Sequence, residues 1–326
     1  MPGKSAVWLG AAVVCGALWA MACGGGHPVT PSGPTPLASS PPSDPPPSPA
    51  PTPTPTPGPS LPPIGTGTAV VHVIGDTGWC GSAAMPRIAA LLQSLSGTII
   101  LAGDLAYMNG RVEDYARCFD PDFGRFRSRW RPVPGNHEYT DRAADGYFTY
   151  FGDAAGEGRR GYYAFRAGPW RVLMLNSSIP VSTNSEQYLW ASEELRVDPS
   201  RCTMAVWHHP YVSSGPNGPN VYMRDMWQLL WENNADVVVS GHDHFYERFG
   251  PQDAAYQSDR ERGLRQFIAG TGGATLYHAT GRFPNSETIV EAYGVLKLTL
   301  QPGFYDWEFV DANTNAISDR GTGQCH

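Results

Sequence analysis

The sequence predicts an α/β domain in which two mixed β-sheets pack face to face and are flanked by helices, an α/β/β/α sandwich. From residue 68 onward, short apolar runs alternate with segments whose apolar residues recur at helical spacing. After residue 264, three apolar runs follow one another without a helical segment between them. Alternating strands and helices that end in a meander of strands fit two packed sheets with helices outside them.

In the first predicted βαβ unit, a Gly-Asp pair lies at the carboxyl end of each of the two strands. Residues 68–75 form a run rich in β-branched residues, and residues 98–102 form a second apolar run. Between them, apolar residues spaced i, i+3, i+4 and i+7 predict a helix that Gly97 ends. Asp76 and Asp104 lie 28 residues apart, close to the roughly 30 residues of one βαβ unit. The helical positions are Ile88, Leu91, Leu92 and Leu95.

The later elements are shorter and are defined by the same patterns. Two runs joined by Ala167-Gly168-Pro169 predict a hairpin. The predicted helices cover residues 185–196 and 222–233. The predicted strands cover residues 131–134, 162–166, 170–176, 203–207, 236–240, 264–269, 294–300 and 304–311.

Six cysteines are present, and their positions predict two disulfides. Cys15 and Cys23 lie in the N-terminal segment, which leaves four. An even number of remaining cysteines in an exported chain usually forms disulfides, and four allow three connectivities. We favour one bond between neighbouring loops and one that ties the C-terminal tail to a core strand, with free buried thiols as the alternative. These pairs are Cys80 with Cys118 and Cys202 with Cys325.

The N-terminal part predicts export. Lys4 precedes an uncharged run over residues 5–22, which is typical of an export signal, with an uncleaved membrane anchor as the alternative. The small residues before Cys23 resemble a bacterial lipoprotein cleavage site. We expect a secreted protein or a membrane-tethered lipoprotein outside the cytoplasm. The expected segments are an export signal with a lipoprotein cysteine at 1–23, a Pro-rich disordered tether at 24–65 and a folded domain at 66–326.

The charge distribution excludes one class of partner. The chain of 326 residues has a formal net charge of −7, and Lys4 and Asp44 are the only charged residues before residue 66. The net negative charge therefore lies on the folded domain, whereas proteins that coat nucleic acids present a basic surface to phosphates. A small phosphorylated substrate is compatible with this charge. Membrane contact is expected only through an N-terminal lipid or anchor.

Residues able to bind metals directly follow several of the predicted strands. Because the carboxyl ends of parallel strands meet at one edge of an α/β sheet, these side chains are expected to converge. Taken singly, each has an ordinary explanation, such as a turn, a helix cap or a satisfied buried histidine. Two histidines at i and i+2 in one loop can face two adjacent ions. The residues are Asp76, Asp104, Asn136, His208, His242 and His244.

The sequence around these residues resembles the calcineurin-like metallophosphoesterase superfamily, and within it the purple acid phosphatases. The resemblance covers about residues 68–311 and makes 66–326 the expected catalytic domain. Other superfamily members usually carry a His two residues after the first Asp, where this chain has Gly78, while Tyr107 stands three residues after the second Asp. An exchange of one metal ligand would produce this difference. The five blocks are Gly75-Asp76-Thr77-Gly78, Gly103-Asp104-Leu105-Ala106-Tyr107, Gly135-Asn136-His137-Glu138, Ala205-Val206-Trp207-His208 and Gly241-His242-Asp243-His244.

The resemblance implies two metal ions bridged by Asp104. Phenolate and carboxylate donors suit Fe(III), whereas imidazoles and an amide oxygen suit a divalent Fe, Zn or Mn. The implied reaction is phosphomonoester hydrolysis, in which a metal-bound hydroxide attacks phosphorus in line with the leaving alcohol. The implied Fe(III) ligands are Asp76, Asp104, Tyr107 and His244, and the ligands of the divalent ion are Asp104, Asn136, His208 and His242.

Other residues are expected to act on the substrate. Asn136 and His137 are the expected phosphate-binding residues, and His137 is also the candidate acid for the leaving group, unless it only orients a ligand. Many purple acid phosphatases carry a further His nine residues after the fourth-block ligand, where this chain has Asn217. Asn cannot deliver a proton, so His209 is a second catalytic candidate, although neighbours on an extended segment point in opposite directions.

Two other functions stay open at this stage. One is a phosphodiesterase or nucleotidase on the same scaffold. The other is a catalytically silent surface-binding module, against which a complete set of metal donors argues.

Overall fold

The computed structural model describes Leu61, residues 65–198 and residues 200–326. The expected export signal, its lipoprotein cysteine and nearly all of the Pro-rich tether lie outside the described residues. Within the described part of the chain, no helix combines the length and the apolar character that crossing a bilayer requires.

The domain alternates strands and helices as far as β7 and ends in strands alone. The strands are β1 Ala69–Ile74, β2 Thr98–Ala102, β3 Trp130–Val133, β4 Tyr163–Ala167, β5 Trp170–Met174, β6 Thr203–Val206, β7 Val237–Ser240, β8 Tyr246–Phe249, β9 Arg265–Ala269, β10 Ser286–Val290, β11 Gly294–Gln301, β12 Phe304–Asp311 and β13 Ile317–Gln324. The α-helices are α1 Met85–Ser94, α2 Val112–Asp114, α3 Asp120–Phe123, α4 Asp145–Phe151, α5 Glu186–Val197 and α6 Arg224–Glu232.

The strands form two mixed sheets. The first has six strands in the order β13-β12-β11-β1-β2-β3, in which β1, β2 and β3 are parallel and the others antiparallel. The second has seven strands in the order β10-β8-β9-β7-β6-β5-β4, in which β5, β6, β7 and β9 are parallel. The parallel strands of both sheets therefore provide the carboxyl ends from which ligand loops can leave.

Alternating side chains divide the apolar residues among three layers of core. In β1, Val71 and Val73 belong to the core between the sheets, whereas Ile74 belongs to the core that includes residues of α1. In β7, Val237 belongs to the core between the sheets and Val238 to the core that includes residues of α5 and α6. Both faces of each sheet are thus covered, which explains why these strands read as continuous apolar runs. The predicted α/β/β/α sandwich is confirmed.

Strand β13 was not predicted from the sequence, and its two glycines explain why. Gly321 and Gly323 give β13 the composition of a turn, yet they are packing positions beneath aromatic rings. A Cβ atom at Gly321 would lie 2.2 Å from Cζ2 of Trp307, and one at Gly323 would lie 2.3 Å from Cζ of Tyr305. The other missed elements are β8, β10 and helices α2 to α4. The predicted helix at 222–233 begins as a 3₁₀ turn, Val221–Met223, before α6.

Two disulfides close long loops. The structure joins Cys80 with Cys118 and Cys202 with Cys325, and the paired Cα atoms are 4.6 and 5.3 Å apart. The first bond links the loop after β1 to the helical segment that follows β2. The second ties the end of β13 to the start of β6, so the last strand is covalently attached to the second sheet.

Candidate metal centre

The polar residues after the parallel strands meet at one edge of the sandwich. Asp76 and Asp104 have positive φ angles of 58° and 51°, so each strand turns sharply where it leaves the sheet. Two neighbouring glycines permit the close approach of the loops. A Cβ atom at Gly103 would lie 2.5 Å from Nδ1 of His208, and one at Gly135 would lie 2.2 Å from Oδ1 of Asp104. Larger residues at either glycine would separate the loops that carry the donors.

One group of donors surrounds the Tyr107 hydroxyl. Its oxygen lies 3.0 Å from Oδ1 of Asp76, 3.1 Å from Nε2 of His244 and 3.3 Å from Oδ2 of Asp104. Nε2 of His244 is also 3.3 Å from Oδ1 of Asp76. Three anion-capable oxygens and one imidazole nitrogen therefore face a common point.

A second group shares the same Asp104 oxygen. Nε2 of His208 lies 3.1 Å from Oδ2 of Asp104 and 3.2 Å from Nδ1 of His242. Oδ1 of Asn136 is a buried oxygen that finds no hydrogen-bond donor among the described residues. A buried acceptor without a donor is costly, so this oxygen fits a cation. Asp104 lies between the two groups and is positioned to bridge them.

Backbone carbonyls fix which nitrogen of two histidines faces the site. Nδ1 of His208 is 2.9 Å from the carbonyl oxygen of Ala102, and Nδ1 of His244 is 2.7 Å from that of Thr275. A carbonyl only accepts hydrogen bonds, so both Nδ1 atoms carry a hydrogen, and deprotonation of either ring leaves its lone pair on Nε2. Neutral imidazoles held in this way are suited to metal binding.

Electrostatics within the cluster also favour a cation. Burial, together with Asp76 and Asp104, raises the pKa of the Tyr107 phenol well above its usual range. Burial tends to raise the pKa of Asp104, but His208 and His137 hold it well below the ordinary value. Burial tends to lower the pKa of His208, but Asp104 raises it to about 9. A positive ion among these oxygens would offset the repulsion that keeps the phenol neutral.

Glu138, the last residue of the third block, holds the loops of Asp104 and Asn136 together. Its side chain is fully buried and accepts hydrogen bonds from four donors. Oε2 accepts from the backbone N–H of Asp104 at 2.9 Å and of Gly135 at 2.7 Å. Oε1 accepts from the N–H of Leu105 at 2.8 Å and the hydroxyl of Tyr115 at 3.0 Å. No role is predicted for Glu138 from the sequence, although it directly follows Asn136 and His137, two predicted site residues.

Asp243 has a similar role in the last block and was also missed. Its carboxylate accepts hydrogen bonds from the Ser213 hydroxyl and, at 3.2 Å, from the backbone N–H of Asn217. The Asn217 side chain donates to the carbonyl oxygen of His242 at 3.3 Å. The loop after His208 is therefore attached to the loop of His242 and His244. Asn217 therefore lies next to the loop of His242 and His244, where its side chain is an amide and offers no acidic proton.

His137 lies beside the first group of donors. Its Nδ1 is 2.6 Å from the carbonyl oxygen of Met108, and its Nε2 is 3.9 Å from Oδ2 of Asp104. The backbone N–H of His137 donates to Oδ1 of Asp104 at 2.8 Å. Its side chain is 23% exposed, so the ring can meet a substrate while the backbone orients the bridging carboxylate.

His209 lies beside the second group, because the chain has left strand β6 before His208. The rings of His208 and His209 are 4.9 Å apart, and those of His209 and His242 are 4.5 Å apart. The Ser177 hydroxyl accepts from the His209 backbone N–H at 3.1 Å and lies 2.8 Å from Nδ1. Burial and the two neighbouring imidazoles lower the pKa of His209 to about 2, which keeps the ring neutral.

Two packed mixed sheets with two groups of metal-type donors at the strand ends define an α/β/β/α sandwich with a candidate metal site. The family model described as calcineurin-like phosphoesterase matches residues 69–246, more than half of the chain. The chain belongs to this family.

Two relatives and one solved structure are similar to parts of this chain. Purple acid phosphatase 15 of Arabidopsis thaliana is 28% identical over 215 residues, which cover 55% of this chain and 40% of that protein. The uncharacterized protein Rv2577 of Mycobacterium tuberculosis is 30% identical over 207 residues, 54% of this chain and 38% of its own length. The purple acid phosphatase PPD1 of yellow lupin (Lupinus luteus) superimposes with a TM-score of 0.68 at 20% identity, covering 79% of this chain and 54% of that one.

These matches confirm the resemblance to purple acid phosphatases that the five blocks indicated. The lupin structure confirms the fold. The aligned region spans about two fifths of the length of the curated relatives.

Proposed function

We propose that the chain is an exported metal-dependent phosphatase that hydrolyses phosphomonoesters at a binuclear centre. The observation that carries this proposal is the sharing of one Asp104 oxygen by two groups of donors. The first group lies within 3.0–3.3 Å of the Tyr107 hydroxyl, and the second lies around Nε2 of His208. Two donor groups that share a carboxylate suit two ions rather than one.

The donor chemistry supports a different ion in each group. Asp76, Tyr107 and His244, with the bridging Asp104, would hold Fe(III), because phenolate and carboxylates are hard anionic ligands. Asn136, His208 and His242, with Asp104, would hold a divalent Fe, Zn or Mn ion. When bound, such ions supply Lewis acidity to phosphoryl oxygens and lower the pKa of a coordinated water.

The chain's own residues position and neutralise the substrate. Asn136 would offer its buried side-chain oxygen to a cation, which leaves its side-chain N–H groups to donate to a phosphate oxygen. Nδ1 of His137 donates to the Met108 carbonyl, so its Nε2 is the atom that meets the phosphate or the leaving oxygen. Glu138 keeps Asp104 and Asn136 at a fixed separation through backbone N–H groups, which maintains the geometry that in-line displacement requires.

His209 supports leaving-group departure by donating a hydrogen bond. Its Ser177 partner already accepts from a backbone N–H, so the hydroxyl hydrogen is free to donate to Nδ1 of His209. In that tautomer Nε2 carries the hydrogen. A neutral imidazole N–H then stabilises negative charge that develops on an ester oxygen.

Location outside the cytoplasm is part of the proposal. The two disulfides of the described domain are typical of exported proteins. The export signal and lipoprotein cysteine rest on the sequence of residues 1–23.

A direct test uses the full chain expressed with export and loaded with its metals. We expect hydrolysis of an aryl phosphomonoester, slower hydrolysis of the corresponding diester, and a visible charge-transfer band from a Tyr107 phenolate on Fe(III). Tyr107→Phe should abolish the band. The matched control is Tyr163→Phe, which removes a tyrosine hydroxyl bonded to the Pro132 carbonyl oxygen and should retain it.

The outcomes separate the open alternatives. Faster turnover of the diester or of a nucleotide than of the aryl phosphomonoester would favour a phosphodiesterase or nucleotidase. Activity with two zinc or manganese ions and no colour retains the phosphatase and rejects Fe(III). Bound metals without hydrolysis of any ester would identify a silent module.

A further inference from the structure

Exposed apolar side chains occur on segments that lie next to the metal-type donors. Eight large apolar side chains are exposed among the described residues, and three of them belong to segments next to the site. Val221 is 63% exposed and Tyr222 is 46% exposed, and both lie on the single turn Val221–Met223. Met108, 54% exposed, directly follows Tyr107. An exposed apolar surface rimmed by polar residues is typical of a binding site.

Tyr222 is one side chain away from the second group of donors. Its ring meets the ring of His209 edge to face, with centroids 5.9 Å apart. The His209 ring is in turn 4.5 Å from the ring of His242. The organic group of a phosphate ester bound at the donors would therefore extend within reach of the Tyr222 ring.

The turn that carries Tyr222 is held in place before any substrate arrives. The Asn220 side chain donates to the carbonyl oxygen of Pro210 at 2.9 Å, two residues after His208. Met223 is fully buried and anchors the end of the turn. Asn217 links the start of the same loop to the His242 carbonyl oxygen. A fixed aromatic ring binds without the entropic cost of ordering a loop.

We propose that Tyr222 and Val221 form the binding surface for the ester group, and that the site prefers phosphate esters of aromatic or apolar alcohols. This inference rests on the proposed phosphatase function and adds a substrate class to it. An aromatic ester group gains from burial of apolar area and from ring contacts with Tyr222. A small alkyl group or a hydroxyl-rich sugar gains little from either.

The test measures binding without turnover. The metal-loaded full chain is titrated by calorimetry with phenylphosphonate and methylphosphonate, whose carbon–phosphorus bonds are not esters. We expect phenylphosphonate to bind about tenfold more tightly, equivalent to about 1.4 kcal/mol. Tyr222→Ala should reduce this ratio to about twofold, and Tyr222→Phe should retain it because the ring remains.

The matched control is Phe304→Ala. Phe304 is an exposed aromatic residue, 38% accessible, at the start of β12. Phe304 pairs with Gln301 of β11, and the neighbouring Leu300 pairs with Ala69, the first residue of β1. The metal-type donors follow the last residues of the parallel strands, so Phe304 lies at the opposite end of the sheet. Its loss should leave the ratio unchanged.

The results distinguish the inference from the function on which it rests. Equal binding of the two phosphonates, or a ratio that survives Tyr222→Ala, would refute the ester-group surface and leave the phosphatase proposal intact. If neither phosphonate binds, the phosphatase proposal itself is refuted. A dimer that dissociates in Tyr222→Ala, with an unchanged ratio, would assign this turn to self-association and overturn the inference.

Discussion

Replacing Glu138 with Gln changes one atom type and removes an acceptor on which two ligand loops depend. The wild-type carboxylate accepts four hydrogen bonds of 2.7–3.0 Å, three of them from backbone N–H groups that cannot reorient. A glutamine offers one acceptor oxygen. Its amide nitrogen must face either two backbone N–H groups or the N–H of Leu105 together with the Tyr115 hydroxyl. The second arrangement costs less, because the hydroxyl can rotate and accept.

The loss of stability follows from the number of hydrogen bonds that are broken or weakened. At least one buried backbone N–H then faces another donor, and the remaining hydrogen bonds lose charge assistance, at about 1.5–3 kcal/mol for a hydrogen bond to a charged group. Burial and repulsion from Asp104 raise the pKa of Glu138. Glu138→Gln removes this repulsion, which offsets part of the lost stability. We expect Glu138→Gln to lower the free energy of unfolding by about 3 kcal/mol and to lower metal occupancy.

Denaturant unfolding followed by tryptophan fluorescence, with metal analysis of the folded protein, measures both effects. Tyr115→Phe is the matched variant, because it removes only the hydroxyl donor and should cost about 1 kcal/mol. If Glu138→Gln proves no more destabilising than Tyr115→Phe and keeps full metal content, the proposed role of Glu138 is wrong.

Three further perturbations have defined outcomes. Burial lowers the pKa of His72, whose ring lies 2.9 Å from the Ser96 carbonyl oxygen, so the folded state binds fewer protons than the unfolded state. Stability should therefore fall as pH drops below the unfolded value of about 6.5, and unfolding curves of His72→Gln should show a smaller pH slope; an equal slope would contradict this origin. Burial tends to raise the pKa of Asp319, but hydrogen bonds from Arg248, Tyr246 and Trp307 lower it. The stability that ionised Asp319 provides is therefore present above its unfolded pKa of about 3.9 and is lost as the pH falls through its folded pKa. Asp319→Asn should cost about 1 kcal/mol at pH 7 and nothing in strong acid; a constant difference at all pH values would exclude an ionic cause. Replacing Cys202 and Cys325 with Ser opens a connection of 123 residues and should cost about 5 kcal/mol by the chain-entropy account, while hydrolysis at 25 °C is retained; loss of activity in the folded variant would show that the bond also shapes the site.

The convergence of the donors was predictable because it follows from topology. Asp76, Asp104, Asn136, His208 and His242 each follow a parallel strand, so the position of one strand end fixes the region of the others. A pattern of residue types along the chain is sufficient for this inference. The structure adds that Asp104 faces both groups through a single oxygen.

The residues that hold the ligand loops were not predictable in the same way. Glu138 and Asp243 are buried carboxylates whose partners are mainly backbone N–H groups and hydroxyls of distant loops. Such partners carry no sequence pattern, because every residue except proline has a backbone N–H. The strand β13 was missed for a related reason, since Gly321 and Gly323 serve the rings of Trp307 and Tyr305 rather than a turn.

The most direct test of the binuclear proposal is the number of metal ions bound per chain in the exported, purified protein, determined by elemental analysis of wild type and of Asp104→Asn. The shared Asp104 oxygen predicts two ions in wild type and a loss of both, or retention of only one, in the variant. One ion or none in a fully active wild-type protein, or two ions in Asp104→Asn, would contradict a centre bridged by Asp104.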